Sequence, residues 1–302
     1  ILAWTEDMEA AKTPAVYSDA PLVSQQSSMA AAELPSVDEF KLIDSDIPAE
    51  TVTPSAQTTL DTGRLVKVET AVLEVWVDLL GGDIARVQLP TYPISLDQPE
   101  TPFLLMDRSA GRTYIAQSAL IGPDGIDKTG ARPLYDVEKS TVTMNSGGEL
   151  ILTTTLEDAR VAKIFSFTPN SHLINVRFEV VNLGDQAKNM RLLTQIKRDR
   201  LPPPTDETVP LAPSPYLGGA LTTPDNNYEK VDFDDLDEGS FEAATVGGWM
   251  AFLQHYFLTA WVAPADQATN YLARKTSDGF YLFGFTGQNQ SVPSGATGTW
   301  QA

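Results

Sequence analysis

From about Arg64 onward, the chain is dominated by short stretches in which apolar and polar residues alternate. In residues 73–79, apolar side chains at every second position alternate with Glu74, Trp76 and Asp78, which is the period of a half-buried strand. Residues 174–180 repeat this pattern, whereas residues 280–285 are apolar on both faces, as in a central strand. Short strands at this spacing, without intervening helices of about 10–15 residues, predict a mainly all-β fold with few short helices. The expected architecture is a large antiparallel sandwich.

Glycine and proline mark the predicted connections. Gly81 and Gly82 are expected to turn the chain into a strand over residues 84–89. Residues 142–144 and 150–155, joined by Asn-Ser-Gly-Gly, are predicted to form a hairpin with a glycine loop. Six of the fourteen residues from 202 to 215 are proline, which predicts a stiff and extended surface loop.

The aromatic run 247–262 allows two interpretations. Trp249, Phe252, Leu253 and Tyr256 fit helical spacing, but the same run also fits two strands with a tight bend near residues 254–255. The flanking Gly-Gly and proline and the aromatic content favour strand–bend–strand.

Residues 1–60 differ in composition from the rest of the chain. They contain ten acidic residues against two basic ones, and five prolines interrupt any period. Such a segment buries too little apolar surface to offset its ordering entropy, so it is predicted to be a disordered acidic tether. The apolar start, Ile1 to Trp4, has two interpretations: the last turn of a transmembrane helix, or an arbitrary start of a fragment. The folded domain is predicted to span residues 61–302.

Composition excludes several classes of function. Acidic residues outnumber basic ones by 40 to 21, giving a net charge of −19, which argues against nucleic-acid binding and against docking on anionic lipid. The absence of cysteine excludes disulfide scaffolds and thiolate chemistry. With only His172 and His255, a multi-histidine metal centre is nearly excluded, and neither a cofactor nor a metal is expected. The chain contains no stretch of about 18 apolar residues, so no membrane span is predicted.

Three features could carry chemistry, and each also has a plain structural explanation. The acidic run 232–238 lacks the glycine and glutamate that a calcium-binding EF-hand loop needs, so a solvated acidic loop is favoured. His255 beside a carboxylate could act as a general acid or base, but a hydrogen-bonded, partly buried histidine is favoured; His172 is expected at a surface strand end. Trp249, Tyr256 and Trp261 could line a sugar- or peptide-binding cleft, although aromatic clusters more often belong to the core.

Four groups of short strings resemble the large periplasmic domain of YidC, the bacterial inner-membrane protein insertase of the Oxa/Alb class. The strings are RPLYDVEK at 132–139; GDI at 82–84 with LPTYP at 89–93; TPD at 223–225 with YEKVDF at 228–233; and GGWMA at 247–251 with Gln254, Tyr256-Phe257 and Ala260-Trp261. The resemblance covers about residues 61–302. In this family a first transmembrane helix precedes a variable linker, which would account for residues 1–60.

The resemblance implies a β-supersandwich, similar to galactose mutarotase, on the periplasmic face of a Gram-negative inner membrane. It implies a membrane-anchored parent protein that inserts and folds nascent membrane proteins, alone or with the Sec translocon, which this domain touches on the SecD–SecF side. The insertion chemistry would reside in later membrane helices. The chain is expected to end before the domain does.

Three functions are therefore compared. A non-catalytic interaction module of the insertase is favoured, and its candidate structural or partner-contacting residues are Gly248, Trp249, Gln254, Tyr256, Phe257 and Trp261. The aromatic residues at 249, 256, 257 and 261 are expected to be mainly buried. A periplasmic carbohydrate- or peptide-binding β-sandwich is the alternative. A mutarotase-type enzyme is disfavoured, because it needs a general acid and a general base across a sugar ring and the chain shows no matching motif.

Overall fold

The computed structural model describes residues 62–109, 111–127, 132–203, 216–254 and 256–302. The predicted tether over residues 1–60, His255 and most of the proline-rich run 202–215 lie outside this part of the chain. The proposed domain boundary at residue 61 remains a prediction. No helix in the described ranges is long and apolar enough to cross a membrane.

The described residues form nineteen strands and one α-helix, after a short 3₁₀ turn at Thr62–Arg64. In chain order they are β1 (Leu65–Glu69), β2 (Glu74–Asp78), β3 (Asp83–Pro93), β4 (Pro102–Ser109), β5 (Arg112–Ile121), β6 (Thr141–Thr143), β7 (Gly148–Leu156), β8 (Ala159–Phe167), β9 (Ile174–Asn182), β10 (Lys188–Arg198), β11 (Leu217–Leu221), β12 (Glu229–Val231), α1 (Phe233–Glu238), β13 (Phe241–Val246), β14 (Trp249–Gln254), β15 (Phe257–Val262), β16 (Ala268–Lys275), β17 (Tyr281–Thr286), β18 (Gln290–Val292) and β19 (Thr297–Gln301).

Three sheets contain these strands. The large sheet has eleven strands, ordered β13-β16-β17-β10-β5-β4-β3-β2-β1-β6, with β18 pairing with β10. Two four-stranded sheets have the orders β12-β11-β14-β15 and β19-β9-β8-β7. Apart from the parallel β1–β6 pair, the described strand pairs are antiparallel. The mainly all-β, antiparallel fold predicted from residue alternation is confirmed.

One apolar core joins the three sheets, since residues of the large sheet and of both small sheets belong to a single cluster of buried side chains. On one side, Phe252 of β14 packs edge-on against Phe283 of β17, with ring centroids 4.6 Å apart. Gly219 of β11 allows this approach, because a Cβ atom there would lie 1.9 Å from the Phe283 ring. Every residue of β17 is buried between β16 and β10, which confirms the prediction of a central strand.

The predicted hairpin between residues 142–144 and 150–155 is wrong. The first segment is β6, which pairs in parallel with β1, whereas the second belongs to β7, which pairs with β8. The glycines at 147 and 148 correctly predicted a turn, in which the Gly147 N–H donates to the Met144 carbonyl at 3.0 Å. The longer β7–β8 register, from Gly148–Phe167 to Leu156–Ala159, provides far more cross-strand pairing than a three-residue partner can offer.

The acidic run 232–238 forms a short helix where a solvated loop was expected. Asp232 caps α1, since its side chain accepts hydrogen bonds from the N–H groups of Asp234 and Asp235, and the Asp235 side chain accepts one from the Asp232 N–H. Phe233 and Leu236 are buried, so the helix covers the core with its apolar face. The local signal was present in the sequence, because an aspartate three residues before another acid matches a capping box.

Candidate functional site

Residues 247–262 form an antiparallel hairpin of β14 and β15, in which Trp249 pairs with Val262 and Gln254 with Phe257. The strand–bend–strand interpretation is confirmed. Gly247 and Gly248 precede the hairpin with φ angles of 64° and 96°. A Cβ atom on Gly248 would also lie 2.9 Å from the Thr222 Cβ atom. Both the backbone conformation and the available space therefore require the second glycine.

Two of the candidate residues fasten this hairpin to the large sheet. Trp261 is 7% exposed, and its indole N–H donates a hydrogen bond to the main-chain carbonyl of Gln195 in β10 at 3.1 Å. Gln254 is buried; its side-chain oxygen accepts from Arg198 Nη1 at 3.4 Å, and its amide nitrogen donates to the Leu105 carbonyl at 3.4 Å. These bonds satisfy buried polar groups and fix the position of the hairpin.

The other aromatic candidates are less buried than the sequence suggested. Trp249 is half-buried, as is Phe257, whose ring lies 4.3 Å from that of Phe103 and 5.4 Å from that of Tyr92. Tyr256 is 82% exposed, so the expectation of burial is wrong for this residue. It occupies the turn between β14 and β15, beyond the last paired residues, where neighbouring strands cannot cover it.

Strand β15 forms one wall of a groove with a volume of about 1950 Å³. All residues from Tyr256 to Pro264 line the groove, and the facing walls come from β3, β4, the start of β9 and the end of β19. Trp249 and Gln254 are not among the lining residues. The structure thus brings Tyr256, Phe257 and Trp261 together at one groove and leaves Trp249 outside it.

Exposed apolar side chains concentrate around this groove. Six of the twelve large apolar residues that are exposed in the described part of the chain line it: Tyr92, Leu96, Leu173, Tyr256, Leu258 and Val262. Two of them are among the most exposed, Leu96 at 87% and Leu173 at 60%. An exposed apolar concentration of this kind marks an interaction surface more often than a scatter of single residues does.

The groove is also nearly free of charge. No aspartate or glutamate is among its described lining residues, although acidic residues outnumber basic ones by 40 to 21 in the chain. Arg177 is the lining cation of β9, and its charge is compensated by Glu179, 3.0 Å from its Nε, and by Glu149, 3.7 Å from its Nη1. His172 lies exposed on the same wall, with its ring 6.1 Å from that of Tyr92. The lining can therefore make apolar contacts but offers no carboxylate for proton transfer.

A group of ionisable side chains lies inside the fold. A buried ionic cluster is formed by Asp83 at the start of β3, Lys163 in the middle of β8, and Asp127 and Arg132 in the connection between β5 and β6. Arg132 bridges the two carboxylates, with Nη1 2.6 Å from Asp83 Oδ2 and Nε 3.1 Å from Asp127 Oδ1. The cluster combines two acidic and two basic side chains, so groups of opposite sign lie side by side inside the fold.

Lys163 is fully buried and is held by main-chain oxygens. Its Nζ donates to the Gly81 carbonyl at 2.9 Å and to the Ser118 carbonyl at 3.0 Å. Burial lowers the pKa of Lys163 to about 7, against the opposing attraction of Asp83. A Cβ atom on Gly82 would lie 2.7 Å from the Lys163 side chain, so the glycine turn between β2 and β3 also makes room for the ammonium group.

The sequence analysis did not identify this buried ionic cluster. One signal was available, since Lys163 occupies an inward position of β8 between Val161 and Phe165, where period-2 alternation predicts an apolar residue. Two of the family-like strings, 82–84 and 132–139, meet here through Asp83 and Arg132. Among the residues that the structure describes, no three histidine, aspartate or glutamate side chains are placed to hold a metal ion.

The chain matches the family model of the YidC periplasmic domain over residues 65–302. The membrane protein insertase YidC of Ectopseudomonas mendocina is 36% identical over 326 aligned positions, which cover 99% of this chain and 55% of the relative. The membrane protein insertase YidC of Pseudomonas putida is 41% identical over 236 positions, which cover 76% of this chain and 42% of the relative. The chain spans about half the length of these relatives.

Among solved structures, a galactose mutarotase-like protein from Lactobacillus casei aligns with a TM-score of 0.45 and 10% identity, over 78% of this chain and 98% of that one. A galactose mutarotase related enzyme from Lactobacillus acidophilus aligns with a TM-score of 0.45 and 11% identity, over 78% of this chain and 95% of that one.

Proposed function

This chain belongs to the YidC periplasmic-domain family, and from that premise we propose that it is a non-catalytic interaction module of a membrane protein insertase. The module stands on the periplasmic face of the inner membrane. There it assists a parent protein that inserts and folds nascent membrane proteins, alone or with the Sec translocon on its SecD–SecF side. The observation that carries the proposal is the family match over residues 65–302, together with relatives about twice as long as this chain.

The groove beside β15 supports the non-catalytic part of the proposal. Acid–base chemistry on a sugar ring needs two positioned proton-transfer groups, and the described lining contains His172 without any aspartate or glutamate. Carbohydrate binding is the second candidate, because the lining also holds hydroxyl and amide side chains, among them Ser166, Asn175 and Gln301, beside aromatic rings. An aldose mutarotation assay by polarimetry is expected to give the uncatalysed rate. A rate that rises with protein concentration would contradict a non-catalytic role.

The proposal is tested in the full-length parent protein, in cells depleted of the natural insertase. One variant lacks residues 65–302, and a control carries Arg200→Ala, which removes the exposed ion pairs with Asp234 and Asp237. Deletion of the domain is expected to abolish co-purification of SecD and SecF, because the domain is their proposed contact. Insertion of a Sec-independent model protein, measured by protease protection, should persist if the membrane helices carry the chemistry. Unchanged co-purification of SecD and SecF after the deletion would overturn the proposed partner.

A further inference from the structure

Lys163 connects the small sheet β19-β9-β8-β7 to the large sheet through the core. It lies in the middle of β8, and its Nζ donates to the main-chain carbonyls of Gly81 and Ser118 at 2.9 and 3.0 Å. Gly81 belongs to the turn before β3, and Ser118 belongs to β5. All three residues are buried. We call them the sheet clamp, because together they fasten a strand of one sheet to the backbone of the other.

The hydrogen-bond geometry of the sheet clamp suits a neutral amine better than an ammonium group. A charged lysine has three N–H donors, whereas a neutral one has two. In the described part of the chain, Nζ makes two hydrogen bonds, both to main-chain oxygens. Arg132 Nη2 donates to the same two oxygens, at 3.1 Å to Gly81 and 3.3 Å to Ser118. A proton on Lys163 therefore adds a donor without an oxygen acceptor and places two cationic groups side by side.

The surroundings of Lys163 combine a few charges with apolar side chains. The charged groups are two carboxylates and one guanidinium: Asp83 of β3, and Asp127 and Arg132 of the β5–β6 connection. Its cross-strand partners, Leu152 of β7 and Phe178 of β9, are apolar. The Phe178 ring lies 4.9 Å from Nζ and offers the ammonium a weaker contact than an oxygen would. Burial has the largest influence and lowers the pKa of Lys163 to about 7, against the attraction of the two carboxylates.

The sheet clamp lies directly beside the groove. Each segment that it joins contributes a lining residue within two positions of the clamp or of its ion pairs. Ile84 follows Asp83 in β3, and Ala116 lies two residues before Ser118 in β5. On the other sheet, the lining residue Val176 of β9 pairs with Phe165, two residues after Lys163. A displacement of β8 from the turn before β3 would therefore separate two walls of the groove.

From this geometry we infer that the sheet clamp is a pH-dependent switch, in which a proton bound by Lys163 releases β8 from the turn before β3 and opens the groove beside it. The neutral amine keeps the two sheets together. The inference concerns the groove itself and does not rest on the proposed function.

The direction of the switch follows from linkage. Nζ binds a proton more tightly in water, where the ordinary pKa is 10.5, than in the clamp, where burial lowers the pKa to about 7. Between these values the open form carries the extra proton, so each unit of falling pH raises its population by up to about tenfold. Below pH about 7 both forms are protonated, and the population of the open form reaches a plateau.

The first test measures opening by thiol labelling of the 302-residue chain, which contains no cysteine of its own. Val161→Cys places one thiol in β8, two residues from Lys163, at a position with 0% exposure. Its rate of reaction with iodoacetamide is divided by the rate of the urea-unfolded variant at the same pH, which removes the titration of the thiol itself. This relative rate is expected to be at least tenfold higher at pH 7 than at pH 9. Equal relative rates at the two pH values would overturn the inference.

Two controls separate the switch from general unfolding. Adding Lys163→Met to Val161→Cys removes the titrating group, so the relative rate should become independent of pH; a persisting dependence would overturn the inference. Ala273→Cys places a thiol at a position with 1% exposure in β16, which two strands separate from β5. Urea below the unfolding transition should accelerate labelling of Ala273→Cys but not of Val161→Cys, because a local opening exposes little surface. Equal acceleration of both thiols would mean that β8 opens only when the whole chain unfolds, and would also overturn the inference.

The second test needs no substitution and therefore holds even if a variant fails to fold. In the chain labelled with carbon-13 lysine, the chemical shift of the Lys163 Cε atom follows the protonation of Nζ directly. Its midpoint is expected near pH 7 in the folded chain. If Lys163 stayed fully protonated up to pH 9, the clamp would hold an ammonium group throughout and the switch would be refuted. Neither result bears on co-purification of SecD and SecF, so the proposed function is tested separately.

Discussion

The buried ionic cluster encloses four charged side chains, whereas the groove exposes six large apolar ones. In the cluster, the charged groups of Asp83, Asp127, Arg132 and Lys163 find hydrogen bonds or ion pairs inside the fold. Along the edge of β15, main-chain groups and apolar side chains both lack partners in the described residues. Charged groups are usually exposed and apolar side chains are usually buried. The cluster departs from this rule by burying charged groups, and the groove departs from it by exposing apolar side chains.

The difference separates residues that hold the fold from residues that are free to bind. A buried charge is tolerated only while each partner is present, so any substitution in the cluster should be felt as lost stability. An exposed apolar side chain contributes little to folding, so a substitution there should leave stability unchanged and alter binding. Trp261 combines the properties of both regions, because it is buried and hydrogen-bonded and also lines the groove.

Removing Arg132 should have the largest effect. Arg132→Ala leaves Asp83 and Asp127 buried without their common partner, which costs about 3–5 kcal/mol of unfolding free energy. Urea denaturation followed by tryptophan fluorescence measures this loss. The control Arg200→Ala removes two surface ion pairs, with Asp234 and Asp237, and should cost far less, because solvent screens exposed charges. Similar losses for the two variants would show that the cluster does not stabilise the fold.

Trp261→Ala should come next, with a loss of about 3 kcal/mol, at the lower end for a buried tryptophan. The indole lines the groove, so truncation opens onto existing space and creates no closed cavity. It also leaves the Gln195 carbonyl without the indole N–H. The control Trp249→Ala alters a half-buried residue outside the groove and should be milder. If Trp261→Ala abolished peptide binding without changing the denaturation curve, Trp261 would belong to the binding region alone.

The third effect concerns pH. Burial lowers the pKa of Lys163 to about 7 in the folded chain, against 10.5 in the unfolded chain, with Asp83, Asp127 and Arg132 as its charged neighbours. Between these values the unfolded chain binds the extra proton, so the free energy of unfolding should rise with pH from about 7 to 9. The slope contributed by one proton is at most about 1.4 kcal/mol per pH unit.

Denaturation at several pH values in the unaltered chain and in Lys163→Met measures this slope. Methionine fills a similar volume without a charge, so the variant should lose the rise in stability that Lys163 contributes. Persistence of the same slope in Lys163→Met would place its origin in another group.

Local patterns predicted several strands and the sheet class. Period-2 alternation did so correctly for β2 and β9, an apolar run on both faces for β17, and the flanking glycines and proline with the aromatic content for the β14–β15 hairpin. Local patterns failed for β6, whose parallel partner β1 lies far away in the sequence. Pairing over such a separation depends on the arrangement of the whole sheet, which a local pattern does not contain.

The candidate site was only partly predictable for the same reason. The sequence singled out Tyr256, Phe257 and Trp261, which meet at the groove, but it grouped them with Trp249, which lies outside. The groove residues Leu96 and Leu173 lie in loops that no local motif distinguishes. Their place at the groove depends on the order of the strands in the sheets, which the local sequence does not reveal. Lys163 was a visible exception to the apolar pattern of β8, although its partners become apparent only in three dimensions.

The smallest effect on stability is expected from Leu258→Ser, which tests the binding half of the comparison. Leu258 is 56% exposed and lines the groove, whereas Ile151 is 47% exposed on β7 and does not. Both serine variants should change the unfolding free energy by less than about 0.5 kcal/mol, since neither side chain is buried in the core. Only Leu258→Ser should weaken binding of an end-capped hexapeptide of valine, leucine and threonine, by about three- to tenfold, because it removes apolar contact from the groove. Equal weakening by Ile151→Ser would mean that exposed apolar residues anywhere on the surface attract the peptide, and the distinction between the groove and the remaining surface would be lost.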